Sequence, residues 1–188
     1  MLRRRSFQLR GRNIELHELT DLIAVRSSEL RRADTTDSDS DKIQFSAGTG
    51  LSRLNNTILD TVKLEVPLPQ LRAFEDSGWV FLPRNEARNL SGDVQEAKIF
   101  VKPGGRLALS TNKLVVKLHG DPDESEANEI LEPFGCRVLE KLSFAPGLFR
   151  VEVNKPEQVD AVEIANQLVA SGVCEFAEPE LIEALSER

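Results

Sequence analysis

From Asn112 to Ala184 the spacing of apolar positions changes repeatedly, and the changes spell strand, helix, strand, strand, helix, strand. Leu114, Val116 and Leu118 fall on one side of a period-two ribbon, as a half-buried strand requires. His119-Gly120-Asp121-Pro122 breaks it. Asp123 and Glu126 then stand in capping-box spacing, and Ala127, Ile130, Leu131 and Phe134 follow at i, i+3, i+4 and i+7, one apolar helix face. Pro133 disfavours helical geometry at Glu132, so the regular helix stops there and Gly135 turns the chain back. A short strand from Arg137 to Leu142 is expected next.

Ala145-Pro146-Gly147 is turn chemistry, and beyond it Phe149, Val151 and Val153 alternate with Arg150 and Glu152. That pattern puts one face of the strand in a core and one in water. A second helix, Glu157 to Ala170, buries Ala161, Ile164, Ala165 and Leu168 and stops at Gly172. The last strand, Val173 to Ala177, is expected to end at Glu178-Pro179. This order is the split βαβ, or ferredoxin-like, arrangement: an α+β fold in which two helices cover one face of a four-stranded antiparallel sheet and leave the other open.

The chain ahead of this module reads as a β-rich accessory lobe over residues 1–105, with the module itself over 106–188. Short segments at Ser6 to Arg12 and Asn13 to Leu19 precede a strand at Leu22 to Arg26. A helix at Pro69 to Asp76, with Leu71 and Phe74 inward, leads to a strand at Trp79 to Leu82. Lys98 to Val101 and Arg106 to Leu109 form a hairpin across Pro103-Gly104-Gly105. Two short matches fall at nearly one offset: the segment after Ser77-Gly78 echoes that after Ser171-Gly172, and Asn13 to Arg26 echoes Arg106 to Lys117. They point to the first lobe as a degenerate duplicate of the second. Residues 33–41 are a Ser/Thr/Asp run and read as a mobile loop, Ile43 to Val66 is ambiguous, and Asn85 to Gln95 reads as a polar loop. Asp37, Asp39 and Asp41 lack the loop glycine and closing glutamate of a calcium site, so no metal is expected.

Charge is distributed unevenly. Residues 1–32 hold eight Lys/Arg against four Asp/Glu, residues 33–119 eleven of each, and residues 120–188 five against sixteen. An acidic module disfavours nucleic acid and anionic membrane. Its third strand, Leu148 to Val153, has one aromatic, which further disfavours RNA. The two cysteines, Cys136 and Cys174, fall on what would be opposite sheet edges, too far apart for a disulfide, and are expected as free, buried thiols.

Several segments carry a resemblance to a known family. Lys113 to Leu118 (KLVVKL), the Gly135 turn, Ala145 to Val153 (APGLFRVEV) and above all Glu175 to Pro179 (EFAEP) resemble the N-terminal prodomain of subtilisin-like serine proteases, of the fervidolysin-type branch. The likeness covers Arg106 to Ala184, with a weaker echo over Gly11 to Arg26. One departure is Cys174, an extra residue between the helix-ending Gly172 and the Glu175-Phe176 pair.

The resemblance implies an inhibitor and folding assistant of a subtilisin-like catalytic domain, in cis or in trans. Its open sheet face would dock on two surface helices of the protease. Phe176, Glu178 and Glu180 would touch the protease, and the tail Leu181, Ile182, Glu183, Ala184, Leu185, Ser186, Glu187 and Arg188 would enter the active-site cleft. No cofactor is implied. The alternative is a regulatory protein-interaction or small-ligand module of the same fold with no protease partner.

Catalysis is not expected of this chain itself. Serine is inert until its proton has somewhere to go, and the only histidines, His17 and His119, stand in none of the settings a subtilisin triad uses. His119 with Asp121 reads as a surface pair in a turn, and His119 is also the module's sole histidine and so its only candidate pH trigger. Met1 to Arg5 runs into Ser6-Phe7-Gln8-Leu9-Arg10 rather than an apolar stretch, so neither a secretory signal nor a membrane helix is visible. That reads as cytoplasmic, against a family that is often secreted.

Overall fold

A computed structural model describes residues 2–9, 12–26, 68–87, 94–154 and 159–183. The expected loop at 33–41 and the ambiguous stretch at 43–66 lie outside the described residues, as does the Leu71 side chain. In chain order the elements are β1 (Leu2–Leu9), β2 (Arg12–Leu19), β3 (Leu22–Arg26), α1 (Leu68–Asp76), β4 (Trp79–Pro83) and α2 (Arg84–Ala87). They continue with β5 (Gln95–Val101), β6 (Leu107–Leu118), α3 (Glu124–Leu131), a 3₁₀ turn (Glu132–Phe134), β7 (Cys136–Lys141), β8 (Leu148–Val153), α4 (Ala161–Ser171) and β9 (Cys174–Glu183). The fold is α+β with a mostly antiparallel sheet and few helices. Two compact units divide it: residues 1–3, 17–109 and 183–188 form one, and residues 4–16 and 110–182 the other.

In the first unit β3 lies between β4 and β5, antiparallel to both. A strand with Leu22, Ile23, Ala24 and Val25 in succession has no polar side to offer water, and all four are buried. Ile23 and Val25 share one face with Leu82 and Ala87 of α2. On the other face Phe74 of α1 meets Phe81 edge to face, with ring centroids 6.1 Å apart. The loop expected from Asn85 onward therefore begins with one helical turn. Its reason is long-range: Arg84 N–H donates to the Asp21 carbonyl at 2.9 Å, and its Nε donates to the Thr20 carbonyl. The Pro103-Gly104-Gly105 turn closes as expected, with Lys102 N–H on the Arg106 carbonyl at 2.7 Å.

The second unit is organised by β6, β8 and β7, paired antiparallel in that order, with β9 on the far side of β6. Leu114, Val116 and Leu118 point into a core shared with Phe149, Val151 and Val153 of β8. Both helices deliver their apolar positions to that same core, Ala127 and Leu131 from α3, and Ala161, Ile164, Ala165 and Leu168 from α4. The capping box at Asp123 is complete: its carboxylate accepts from Glu126 N–H at 2.9 Å, and Glu126 accepts from Asp123 N–H at 3.0 Å. Beyond Leu131 the chain tightens into the 3₁₀ turn carrying Pro133, then reverses at Gly135 in the left-handed region (φ 69°).

Three boundaries differ from expectation. α4 starts at Ala161 rather than Glu157, because Asp160 takes the N-cap and accepts from Glu163 N–H at 2.9 Å. β6 is one twelve-residue strand, so the hairpin's second arm and the module's first strand are continuous. The last strand does not end at Glu178-Pro179 but runs to Glu183. Proline lacks an N–H and interrupts a central strand, but among the described strands β9 pairs only with β6, and an edge strand tolerates it.

Each unit contains a helix, a positive-φ glycine and a strand that returns beside an earlier strand. These are α1, Gly78 and β4 beside β3, and α4, Gly172 and β9 beside β6. The correspondence stops at the next neighbour. That place is filled by β5 beside β3, which follows β4 in the chain, but by β8 beside β6, which precedes α4.

Candidate functional site

The face of the second unit turned away from its helices is built by the alternate residues of the same strands. Register fixes the rows: Lys113 lies opposite Glu152, Val115 opposite Arg150, and Lys117 opposite Leu148. Across β8, Arg137 lies opposite Glu152 and Glu140 opposite Arg150, with a register shift between Val138 and Glu140. That irregularity leaves Leu139 38% exposed. The polar members are half-buried or exposed, and pair across strands rather than along them.

Arg150 is the centre of this network. Its Nε donates to Glu180 Oε1 at 2.6 Å, and its other arm pairs with Glu140. Since Glu180 is on β9 and β9 lies beyond β6, the guanidinium extends across the row occupied by Val115. The hydrogen bond and charge of Glu180, then the charge of Glu140, hold the Arg150 pKa above its ordinary value. Arg137 Nε donates to Glu152 at 2.8 Å, and Asn112 holds the other oxygen of that carboxylate at 3.0 Å. Lys117 approaches Glu175 at 3.7 Å. These pairs are partly solvated, so each contributes only ~0.2–1 kcal/mol to stability, and their main effect is to preset the pattern of charge.

The residues singled out from sequence fall as follows. Phe176, Glu178 and Glu180 are half-buried on β9, with Ala177 turned into the core between them. Cys174 is also in the core. Two inward residues three apart break strict alternation within β9. Glu180 is held by Arg150 rather than projected freely from a strand exit. Leu181, Ile182 and Glu183 are the end of β9, and Glu183 pairs with Lys102. Ala184, Leu185, Ser186, Glu187 and Arg188 lie outside the described residues.

The histidines are not brought together: His17 is on β2 in the first unit, and His119 is exposed after β6 in the second. The Asp121 carboxylate is committed elsewhere, accepting from Gly147 N–H at 2.8 Å and pairing with Lys141 at 2.8 Å. Those contacts lower its pKa, the Lys141 hydrogen bond most. Cys136 and Cys174 are free and buried at the starts of β7 and β9, the two ends of the strand order, and burial pushes both thiols up to about 11. Phe149 is fully buried on the helix side, so β8 offers no aromatic platform on the open face.

Among the described residues no group of three or more His, Cys, Asp or Glu is placed to hold a metal ion. No described helix is long and apolar enough to cross a membrane. The cross-strand network was not visible in sequence. The alternation of Arg150 and Glu152 with apolar residues placed both on the wet face, but their partners depend on register with strands far away in the chain. Searches of protein-family models, of curated proteins and of solved structures find no match for this chain.

Proposed function

We propose that the second unit is a prodomain-type docking module that inhibits a subtilisin-like serine protease and assists its folding, in cis or in trans. The observation that carries this reading is the strand order β9-β6-β8-β7 with both helices on one side. We read this order as ferredoxin-like, with the opposite face left to a preset array of charges. Fold alone never assigns function. The reading therefore also leans on the resemblance of Lys113 to Leu118, Ala145 to Val153 and Glu175 to Pro179 to subtilisin prodomains. On the same reading the first unit is a degenerate copy of the helix–glycine–strand half of the module.

In this mechanism the open face supplies docking area, and the chain beyond Glu183 enters the cleft as a product-like segment. Arg150 must trade part of its contact with Glu180 or Glu140 for groups on the partner, which makes docking sensitive to salt. Glu178, also on β9, would meet the N–H groups at a helix start on the partner, where a carboxylate is favoured. Binding only the folded protease stabilises it by RT ln(1 + [L]/Kd), so one surface both inhibits and assists folding.

The test separates the two parts. Ending the chain after Glu183 removes no residue of β9. The shortened protein should keep its circular dichroism spectrum yet inhibit a subtilisin-type protease at least tenfold more weakly, which corresponds to ~1.4 kcal/mol of lost contact. Equal inhibition by both forms sinks the tail-in-cleft mechanism. No inhibition by either favours an interaction module without a protease partner.

A further inference from the structure

We propose that residues 4–16 act as a strap that latches α4 and opens before the rest of the second unit unfolds. This inference does not depend on the protease reading. The hairpin segment belongs to the second unit although more than a hundred residues separate it from α4 in the chain. Asp160 is the joint. One carboxylate oxygen caps α4 by accepting from Glu163 N–H at 2.9 Å, and the other accepts from Arg5 at 2.9 Å. The Asp160 side chain is 6% exposed and that of Arg5 14%. Two further contacts extend the latch along the helix: Arg5 reaches Glu163 at 3.5 Å, and Asn166 Nδ2 donates to the Ser6 carbonyl at 2.7 Å.

Two physical points couple this strap to α4. First, Arg5 compensates part of the buried Asp160 charge. Lifting β1 away removes that compensation at the cap, so strap and helix start are energetically coupled. Second, the apolar cluster that packs α4 against the sheet runs from Leu114 to Ala177, with every member from β6 onward. Phe7 and Leu16 are buried, but outside that cluster. Opening the strap therefore breaks these polar contacts and uncovers Phe7 and Leu16, while leaving Ile164, Ala165 and Leu168 of α4 packed on the sheet.

Native-state hydrogen exchange on the full chain, followed by mass spectrometry in rising urea, tests this. Amides of residues 4–9 and 161–166 should exchange together, at lower urea than those of β6 and β8. Arg5→Met keeps the aliphatic stem and removes the charge; it should speed exchange in those two segments by about tenfold without changing β6 or β8. Asp160→Asn keeps a cap acceptor and should do the same, and the double variant should fall short of the sum of the two, since they share the Arg5–Asp160 pair. The proposal is overturned if residues 4–9 exchange only in the same step as β6 and β8. It is equally overturned if Arg5→Met accelerates every segment alike. Should the variants fail to fold, the wild-type urea series alone decides between these outcomes.

Discussion

Replacing Gly147 with alanine should be far more damaging than the same change at Gly135, although both residues have positive φ, 63° and 69°. A left-handed L-residue costs ~1–2 kcal/mol, and the stiffer unfolded chain offsets ~0.4–1 kcal/mol of that. At Gly135 nothing lies within 4 Å of the added Cβ, so the net loss there should stay near ~1 kcal/mol. At Gly147 the Cβ would press into the Gly120 carbonyl oxygen and stand 2.9 Å from that of Leu118, both rigid backbone. Relief requires the two turns to separate. They are joined by Leu118 N–H on the Gly147 carbonyl at 2.9 Å and by Gly147 N–H on Asp121 at 2.8 Å.

Adding ~1–3 kcal/mol for overpacking and ~0.5–1.5 kcal/mol for each of the two weakened hydrogen bonds puts Gly147→Ala at roughly 3–7 kcal/mol. The single tryptophan, Trp79, belongs to the first unit and there is no tyrosine, so fluorescence would miss the change. Hydrogen exchange of the β6 and β8 amides reports on the second unit directly. Equal losses in the two variants would refute the close-approach reasoning.

Three further outcomes are expected. Thiol titration should find Cys136 and Cys174 inert in the native protein at pH 8, because burial pushes both up to about 11, and should find two groups after denaturation without reductant. Finding none in the monomer would contradict their places at opposite ends of the strand order. Asp121 has a lowered pKa, so its contribution is present above the unfolded value of ~3.9 and fades as pH falls through the folded one. Wild type and Asp121→Asn should thus differ in melting temperature near neutrality and converge on acidification, and a gap that persists unchanged at pH 2 would exclude this cause. Arg150→Met should lower stability by less than ~2 kcal/mol, because the two pairs it breaks are partly solvated, yet should reduce the salt dependence of any partner binding.

Local rules carried much of the second unit. A capping box, a proline after the helix and clean alternation over Phe149, Val151 and Val153 each act within a few residues and each could be read from them. What escaped was decided at longer range. Glu178-Pro179 looks like a stop until β9 is known to be an edge strand. Asp160 looks like any acid in an acidic stretch until Arg5 arrives, and nothing near residues 4–16 announces that they belong beside α4. The candidate site was half legible for the same reason. The residues of β8 that face water were clear, whereas the partners of Arg150 come from β7 and β9, and only register selects them.

The central claim is a docking module for a subtilisin-like protease, and direct binding tests it most simply. Calorimetric titration of the full chain into a panel of subtilisin-type catalytic domains, each with its serine replaced by alanine to prevent cleavage, should give one-to-one binding to at least one of them. A small active-site inhibitor should weaken that binding, and ending the chain after Glu183 should weaken it by at least tenfold, the ~1.4 kcal/mol step. Heats of dilution alone across the panel would contradict the claim, as would binding that an occupied active site leaves unchanged.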